Sequence, residues 1–274
     1  MSNEGIGFRV WEVTACVLRI RPSDPEPQTL NPRPYTLHPM SKIGLIAWKE
    51  LRTYFTSWMA YALISGWLLI SGYLFVVLLV QSQESFQLAP IYHIMITVLL
   101  FMAPLLTMRQ IVEERTTGAL EMLFTSPVTE WQVTLGKFFG AWGFVAVMTL
   151  LTVHFPFFAT RYGSIDTGPV WGSYIALLCS GAAFVAVGLF CSSVTESQVV
   201  AGFLTFGALL GSWMLSWLPE TTPVTDFIRQ WSIFPHFSQM MQGAVDTRDI
   251  IFFASITIFF LFATVRVLES RKWR

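Results

Sequence analysis

The residues of this sequence that could do chemistry within a membrane are few, and each fails a specific requirement. His93 and His154 fall inside long apolar runs, where an ionisable group is the first sign of a proton or ion path. Neither has an acidic partner on its own helix face, so both read as hydrogen-bonded packing histidines. A serine nucleophile needs a paired base and a tight glycine setting. In Cys179-Ser180-Gly181 the position two before the serine is Leu178, not glycine. Cys16, Cys179 and Cys191 have no metal-ligand spacing and read as small packing residues, not as a metal site or disulfide. Gly136-Lys137 has half of a phosphate-binding loop, but Phe138 follows it and Trp131 stands where the first glycine belongs. The chain therefore reads as a protein without catalytic residues, metal or cofactor of its own, and any ATP it uses is bound by another chain.

The elements that would hold these residues are helices in lipid. Hydrophobic residues make up 54% of the chain and charged residues 12%, and the mean hydropathy is +0.56. A soluble domain has about 45–50% and about 25%. Basic and acidic residues balance at 17 each, so no global field recruits nucleic acid. Six apolar stretches, 57–80, 88–108, 138–160, 172–192, 199–218 and 250–268, approach the ~20 residues needed to cross hydrocarbon. The expected fold is all-α, a polytopic membrane protein with six transmembrane helices.

Orientation follows from charge. Lys42, Lys49, Arg52, Arg109, Arg115 and Lys137 flank the first three stretches on one side, whereas the link 81–87 has no basic residue. By the positive-inside tendency the amino terminus is cytoplasmic. An even number of spans returns the carboxyl terminus, with Arg266, Arg271, Lys272 and Arg274, to the same side.

Residues 1–39 differ in kind, with six prolines and no apolar face to bury, and read as a disordered tail. Met40-Ser41-Lys42 is the more natural start, which makes the tail the product of an upstream start and leaves 40–274 as the working six-span domain. Between 41 and 56, Ile43, Ala47, Leu51, Tyr54 and Phe55 share one helical arc, with Trp48 at its edge and Lys42, Lys49, Arg52 and Thr53 opposite. Such a helix lies in the interface, with its basic residues toward anionic membrane lipid. The link 193–198 is a tight turn. The longer 219–249, with Pro223 and Pro235 as breakers, suggests short interfacial or re-entrant helices. Glycines such as Gly66, Gly72, Gly181, Gly188, Gly202, Gly207 and Gly211 offer close helix contacts.

The one long charge-dense segment between two spans is 109–137. Glu113, Glu114, Arg115 and Glu121 give it a hydrated face and Leu120, Leu123 and Phe124 an apolar one, the pattern of a short amphipathic helix over 113–124. Gly118 costs such a helix about 1 kcal/mol relative to Ala and marks a bend or close approach. Ser126-Pro127 ends it, and Thr129 with Gln132 forms a capping box that starts the next helix.

These residues resemble the type-2 ATP-binding-cassette (ABC) permeases, and more narrowly the branch that includes gliding-motility-associated permeases. The likeness rests on Glu114, Arg115, Gly118, Leu120, Glu121, Leu123, Pro127, Gly136 and Lys137, with Ala119 in place of the usual Thr. FPHFSQMMQGAVDTRDIIFF at 234–253 and LESRKW at 268–273 are similar as well. The resemblance implies a permease subunit, here an exporter's, in the bacterial plasma (inner) membrane. It implies a second permease copy or homologue as partner and two ATPase subunits that carry ATP and magnesium. It further implies a cytoplasmic coupling helix between spans 2 and 3 that docks on the ATPase, with Glu113, Glu114, Arg115, Gly118, Leu120, Glu121, Leu123 and Pro127 as its residues. Lys42, Trp48, Lys49 and Arg52 would mark the interfacial helix. A membrane scaffold of an ATPase-driven assembly or motility complex, without solute transport, is the alternative.

Overall fold

A computed structural model describes residues 39–81, 88–118, 129–160, 166–217, 232–243 and 245–272, all within one unit, His38–Arg274. The proline-rich segment lies outside the described residues. The described helices are α1 (Pro39–Thr56), α2 (Trp58–Gln81), α3 (Ala89–Thr107), α4 (Val112–Thr116), α5 (Glu130–Leu151), α6 (His154–Ala159), α7 (Thr167–Val194), α8 (Gln198–Leu215), α9 (Ile233–Met241) and α10 (Thr247–Lys272). Among the described residues, six segments are long and apolar enough to cross a membrane: Trp58–Gln81, Ala89–Thr116, Glu130–Ala159, Thr167–Val194, Gln198–Leu215 and Thr247–Ser270.

The third span begins at Glu130, well before the expected residue 138. Thr129 accepts the Gln132 amide through its hydroxyl at 3.4 Å, and its own N–H donates to the Gln132 side chain at 3.3 Å. That capping box satisfies the first orphan donors and launches the helix straight through Gly136-Lys137. Pro235, expected to break a helix, lies in the first turn of α9 instead. A missing N–H costs nothing there, because first-turn donors have no intrahelical partner.

α7 is the axis of the bundle. Its small residues admit neighbours at close range: a Cβ on Gly181 would run into Val145 of α5, one on Gly188 into Thr107 of α3, and one on Gly172 into the Met240 carbonyl of α9. Indole and phenol groups fasten the same helices where water is absent. Trp67 Nε1 donates to the Met148 carbonyl at 3.0 Å, Trp142 Nε1 to the Leu178 carbonyl at 3.0 Å, and the Tyr174 hydroxyl to the Thr152 carbonyl at 2.9 Å. Large apolar side chains such as Trp58, Leu69, Trp171, Phe203 and Phe259 point outward, as lipid-facing residues do.

α1 packs along α5 and runs parallel to it. Gly136 faces Ile46, Gly140 faces Glu50, Gly143 faces Leu51, and Phe144 stacks on Tyr54 at 5.3 Å and meets Phe55 at 5.6 Å. The apolar arc of α1 is therefore covered by protein. Its exposed side carries Leu45, Trp48, Lys49 and Arg52.

A candidate coupling junction around Lys137

One end of the bundle holds the start of α5, the end of α3 with α4, the end of α7, and α1. Lys137 lies at its centre, only 3% exposed. Its ammonium is 2.7 Å from Glu114 Oε1 and 3.1 Å from Glu50 Oε1, and it donates to the Gln110 carbonyl at 2.8 Å. One buried cation thus joins α1, α4 and α5. A buried charge is tolerated only when paired and hydrogen-bonded, and three acceptors meet the three donors of an ammonium.

The adjoining polar groups continue the junction. The Tyr54 hydroxyl donates to the Leu106 carbonyl at 3.1 Å and accepts from Gln110 Nε2 at 2.7 Å, a pairing that fixes the orientation of the Gln110 amide. Burial pushes the Tyr54 hydroxyl above the ordinary phenol range, so it stays a neutral donor. Arg115 donates to the Ser193 carbonyl at 2.8 Å and to the Thr195 carbonyl at 3.0 Å. The Ile111 amide donates to the Ser192 hydroxyl at 3.2 Å. α4 is therefore held to the end of α7 on one side and to α1 and α5 on the other.

The residues expected to form one exposed amphipathic helix do not behave as one element. Glu113 is exposed on α4. Glu114 and Arg115, expected on a hydrated face, turn inward to Lys137 and to the α7 carbonyls. Burial next to opposite charge and bare carbonyls outweighs their hydration, and charge pattern alone does not carry that information. Gly118 adopts φ 71°, and α4 stops at Thr116. Glu113 to Arg115 thus belong to a helix that ends before Gly118 and prolongs the second span. Leu120, Glu121, Leu123 and Pro127 lie outside the described residues. Lys137, expected as a flanking surface charge, is buried instead, because α5 begins two turns earlier than the apolar run.

On α1, Trp48 is 68% exposed and Lys49 and Arg52 are also exposed, whereas Lys42 is half-buried. Sequence reasoning missed Glu50, Gln110 and the role of the Tyr54 hydroxyl. A signal for Glu50 was present: it falls on the apolar arc between Ala47 and Tyr54, and a carboxylate on a packed face needs a partner.

At the opposite end a second buried pair was also missed. His236 Nδ1 of α9 lies 2.7 Å from Asp249 Oδ1 in the first turn of α10, and the His236 ring stacks on Phe252 at 4.0 Å. His93 packs against Phe234 at 5.2 Å, and His154 Nδ1 lies 2.6 Å from the Leu151 carbonyl. Among the described residues no group of three His, Cys, Asp or Glu side chains could hold a metal ion.

The arrangement has polar junctions at the ends of six apolar helices and a charge-tied arm between the second and third. The family model for ABC-2 family transporter proteins matches residues 80–268. This chain belongs to the ABC-2 transporter family. It is an integral membrane protein and a transmembrane ABC transporter permease, a transport component and not a catalytic one. No curated protein matches it significantly. The family match leaves out α1 and most of α2, so the permease takes Glu50, one of the two carboxylates on Lys137, from outside the matched region.

Proposed function

We propose that the permease is one half of the translocation path of an ATP-driven exporter in the bacterial plasma (inner) membrane. It works beside a second permease, identical or homologous, and with two ATP-binding-cassette ATPase subunits that carry ATP and magnesium. Both termini and the Lys137 junction face the cytoplasm on this reading, in keeping with the basic residues Lys42, Lys49, Arg52 and Arg109 at that end. The matches at Glu114 through Lys137 favour the branch that includes gliding-motility-associated permeases.

The observation that carries this reading is the threefold tie at Lys137. The ATPase docks on 113–124, and its closure moves α4. Because Glu114 is bonded to the same ammonium as Glu50, and that ammonium belongs to α5, α4 does not move without shifting α1 and the third span. Gly118, left-handed at φ 71°, lies within the docking segment, just past the end of α4. ATP binding drives the change by stabilising one arrangement of these helices over the other.

The test is copurification with the ATPase followed by reconstitution in vesicles. Gly118→Ala strains the left-handed position by about 1–2 kcal/mol, and Glu121→Ala removes a docking carboxylate. Both are expected to lower cargo-stimulated ATP hydrolysis several-fold with insertion unchanged. Unaltered coupling in both variants would remove this segment from the pathway. ATPase binding with no cargo flux at all would replace the exporter by the scaffold of an assembly or motility complex.

A further inference from the structure

Beside the Lys137 junction, between α1, the start of α2 and the end of α3, is a cavity of about 280 Å³, near the lower end of the ~300–1,000 Å³ of small-ligand sites. Its wall changes character along its depth. Ala60, Leu63 and Leu106 form a buried apolar part, and Lys137, Gln110 and Tyr54 a polar one. Its rim follows one stripe of α3 and α4, from Leu105 to Arg109 to Glu113, each one turn further on, and faces Lys49 and Thr53 of α1, all of them exposed. A rim that passes from hydrocarbon to charge over two turns matches the boundary between acyl chains and headgroups.

The polar groups of the cavity are incompletely matched with one another. Lys49 and Arg109 have no ion-pair partner among the described residues. Deeper in, one cation, Lys137, faces two carboxylates, Glu50 and Glu114, which leaves formal negative charge in excess. Two buried acceptors there, Gln110 Oε1 and Glu114 Oε2, have no hydrogen-bond partner among the described residues. Gln110 is more than nine-tenths buried, and its amide orientation is set by Tyr54, so the unmatched atom is the oxygen. A buried unpaired acceptor is costly, and the cost is relieved by an N–H donor.

A rim of net positive charge, with Lys49 and Arg109 against the single carboxylate of Glu113, above acceptors and excess negative charge is complementary to a zwitterion whose anionic part is phosphate and whose cationic part bears hydrogens. We propose that this cavity is a binding site for a membrane phospholipid whose headgroup carries both a phosphate and a primary ammonium. The phosphate lies between Lys49 and Arg109, the ammonium donates to Gln110 Oε1 and Glu114 Oε2, and the acyl chains leave past Leu105 into the bilayer. Phosphatidylcholine, with no N–H, and phosphatidylglycerol, with no cation, each satisfy half of the site. Such binding needs only that the permease be embedded in lipid, so it stands or falls separately from ATPase coupling.

The full chain, equilibrated in detergent with equimolar phosphatidylethanolamine, phosphatidylcholine and phosphatidylglycerol, is analysed by native mass spectrometry for retained lipid. The expected result is one phosphatidylethanolamine retained with about tenfold preference over either competitor, a factor within reach of one hydrogen bond to a charged group. Lys49→Gln with Arg109→Gln is expected to lower the retention of all three lipids about tenfold, because each carries the phosphate, whereas Arg266→Gln, a charge removed elsewhere, leaves retention unchanged. Equal retention of phosphatidylcholine, or retention of the three lipids undiminished by the double substitution, overturns the proposal. Displacement by soluble O-phosphoethanolamine at the lipid's own concentration overturns its membrane part. If the double variant does not fold, the comparison of headgroups on the unaltered chain decides alone.

Discussion

At the scale of single residues, Lys137 is the group on which the largest effect is expected. Removing one partner of a buried ion pair leaves an uncompensated charge and costs about 3–5 kcal/mol. Lys137→Met strands both Glu50 and Glu114 and should lower the unfolding midpoint in detergent by many degrees. Replacing all three, as Lys137→Met with Glu50→Gln and Glu114→Gln, should recover much of that loss, because a desolvated charge is no longer present. A triple variant no more stable than Lys137→Met would show that the junction is held by something other than its charges. None of this was legible in the charge pattern, which assigns Lys137 to the water side of an apolar run. The side chain is buried because α1 lies over it, a contact made across 87 residues of sequence.

At the scale of elements, the glycines separate into those that determine packing and those that do not. A Cβ on Gly140 would lie 2.5 Å from Glu50 Cβ, and one on Gly136 2.5 Å from Ile46, so α1 must retreat from α5 if either is replaced. Gly140→Ala is expected to cost about 1–3 kcal/mol by overpacking. Among the described residues, Gly207 and Gly211 of α8 have no atom of another element within 4 Å of such a carbon. Gly207→Ala and Gly211→Ala should be neutral or gain about 0.5–1 kcal/mol of helix propensity. Thermal unfolding of the three variants side by side checks the division, and equal effects at Gly140 and Gly207 would refute it. The six spans and the Thr129-Gln132 cap were readable from the sequence because periodicity and capping are local. The identity of the partner across each glycine was not, since spacing marks a possible close contact without saying which helix fills it. The amphipathic arc of α1 was legible and was read as that of a helix lying in the interface, but it is α5 that covers it.

At the scale of the whole molecule, the two polar junctions lie at opposite ends of α7 and share no residue. Asp249 is fully buried and its Oδ2 has no partner among the described residues, so its pairing with His236 holds α9 against α10. His236→Ala should destabilise the protein by about 3–5 kcal/mol, the cost of an orphaned buried carboxylate. His236→Ala with Asp249→Asn should restore part of it. Because additivity holds for distant sites, His236→Ala combined with Lys137→Met is expected to give the sum of the separate losses. A cycle with coupling well above about 0.5 kcal/mol would instead reveal that the two ends communicate through α7. The sequence located the helix before the last span, but the His236–Asp249 pair was not anticipated, since its members lie on different elements 13 residues apart.

The parallel seating of α1 on α5 also sets a clock on biogenesis. Glu50 leaves the ribosome 87 residues before Lys137, an interval of about 4–17 s at ~5–20 residues per second. During that time the hairpin of α2 and α3 is already available for insertion, while α1 has neither its groove nor its counter-charge. A nascent chain halted before residue 137 therefore exposes an amphipathic segment that only the bilayer surface can shelter, and α1 docks after the third span has entered.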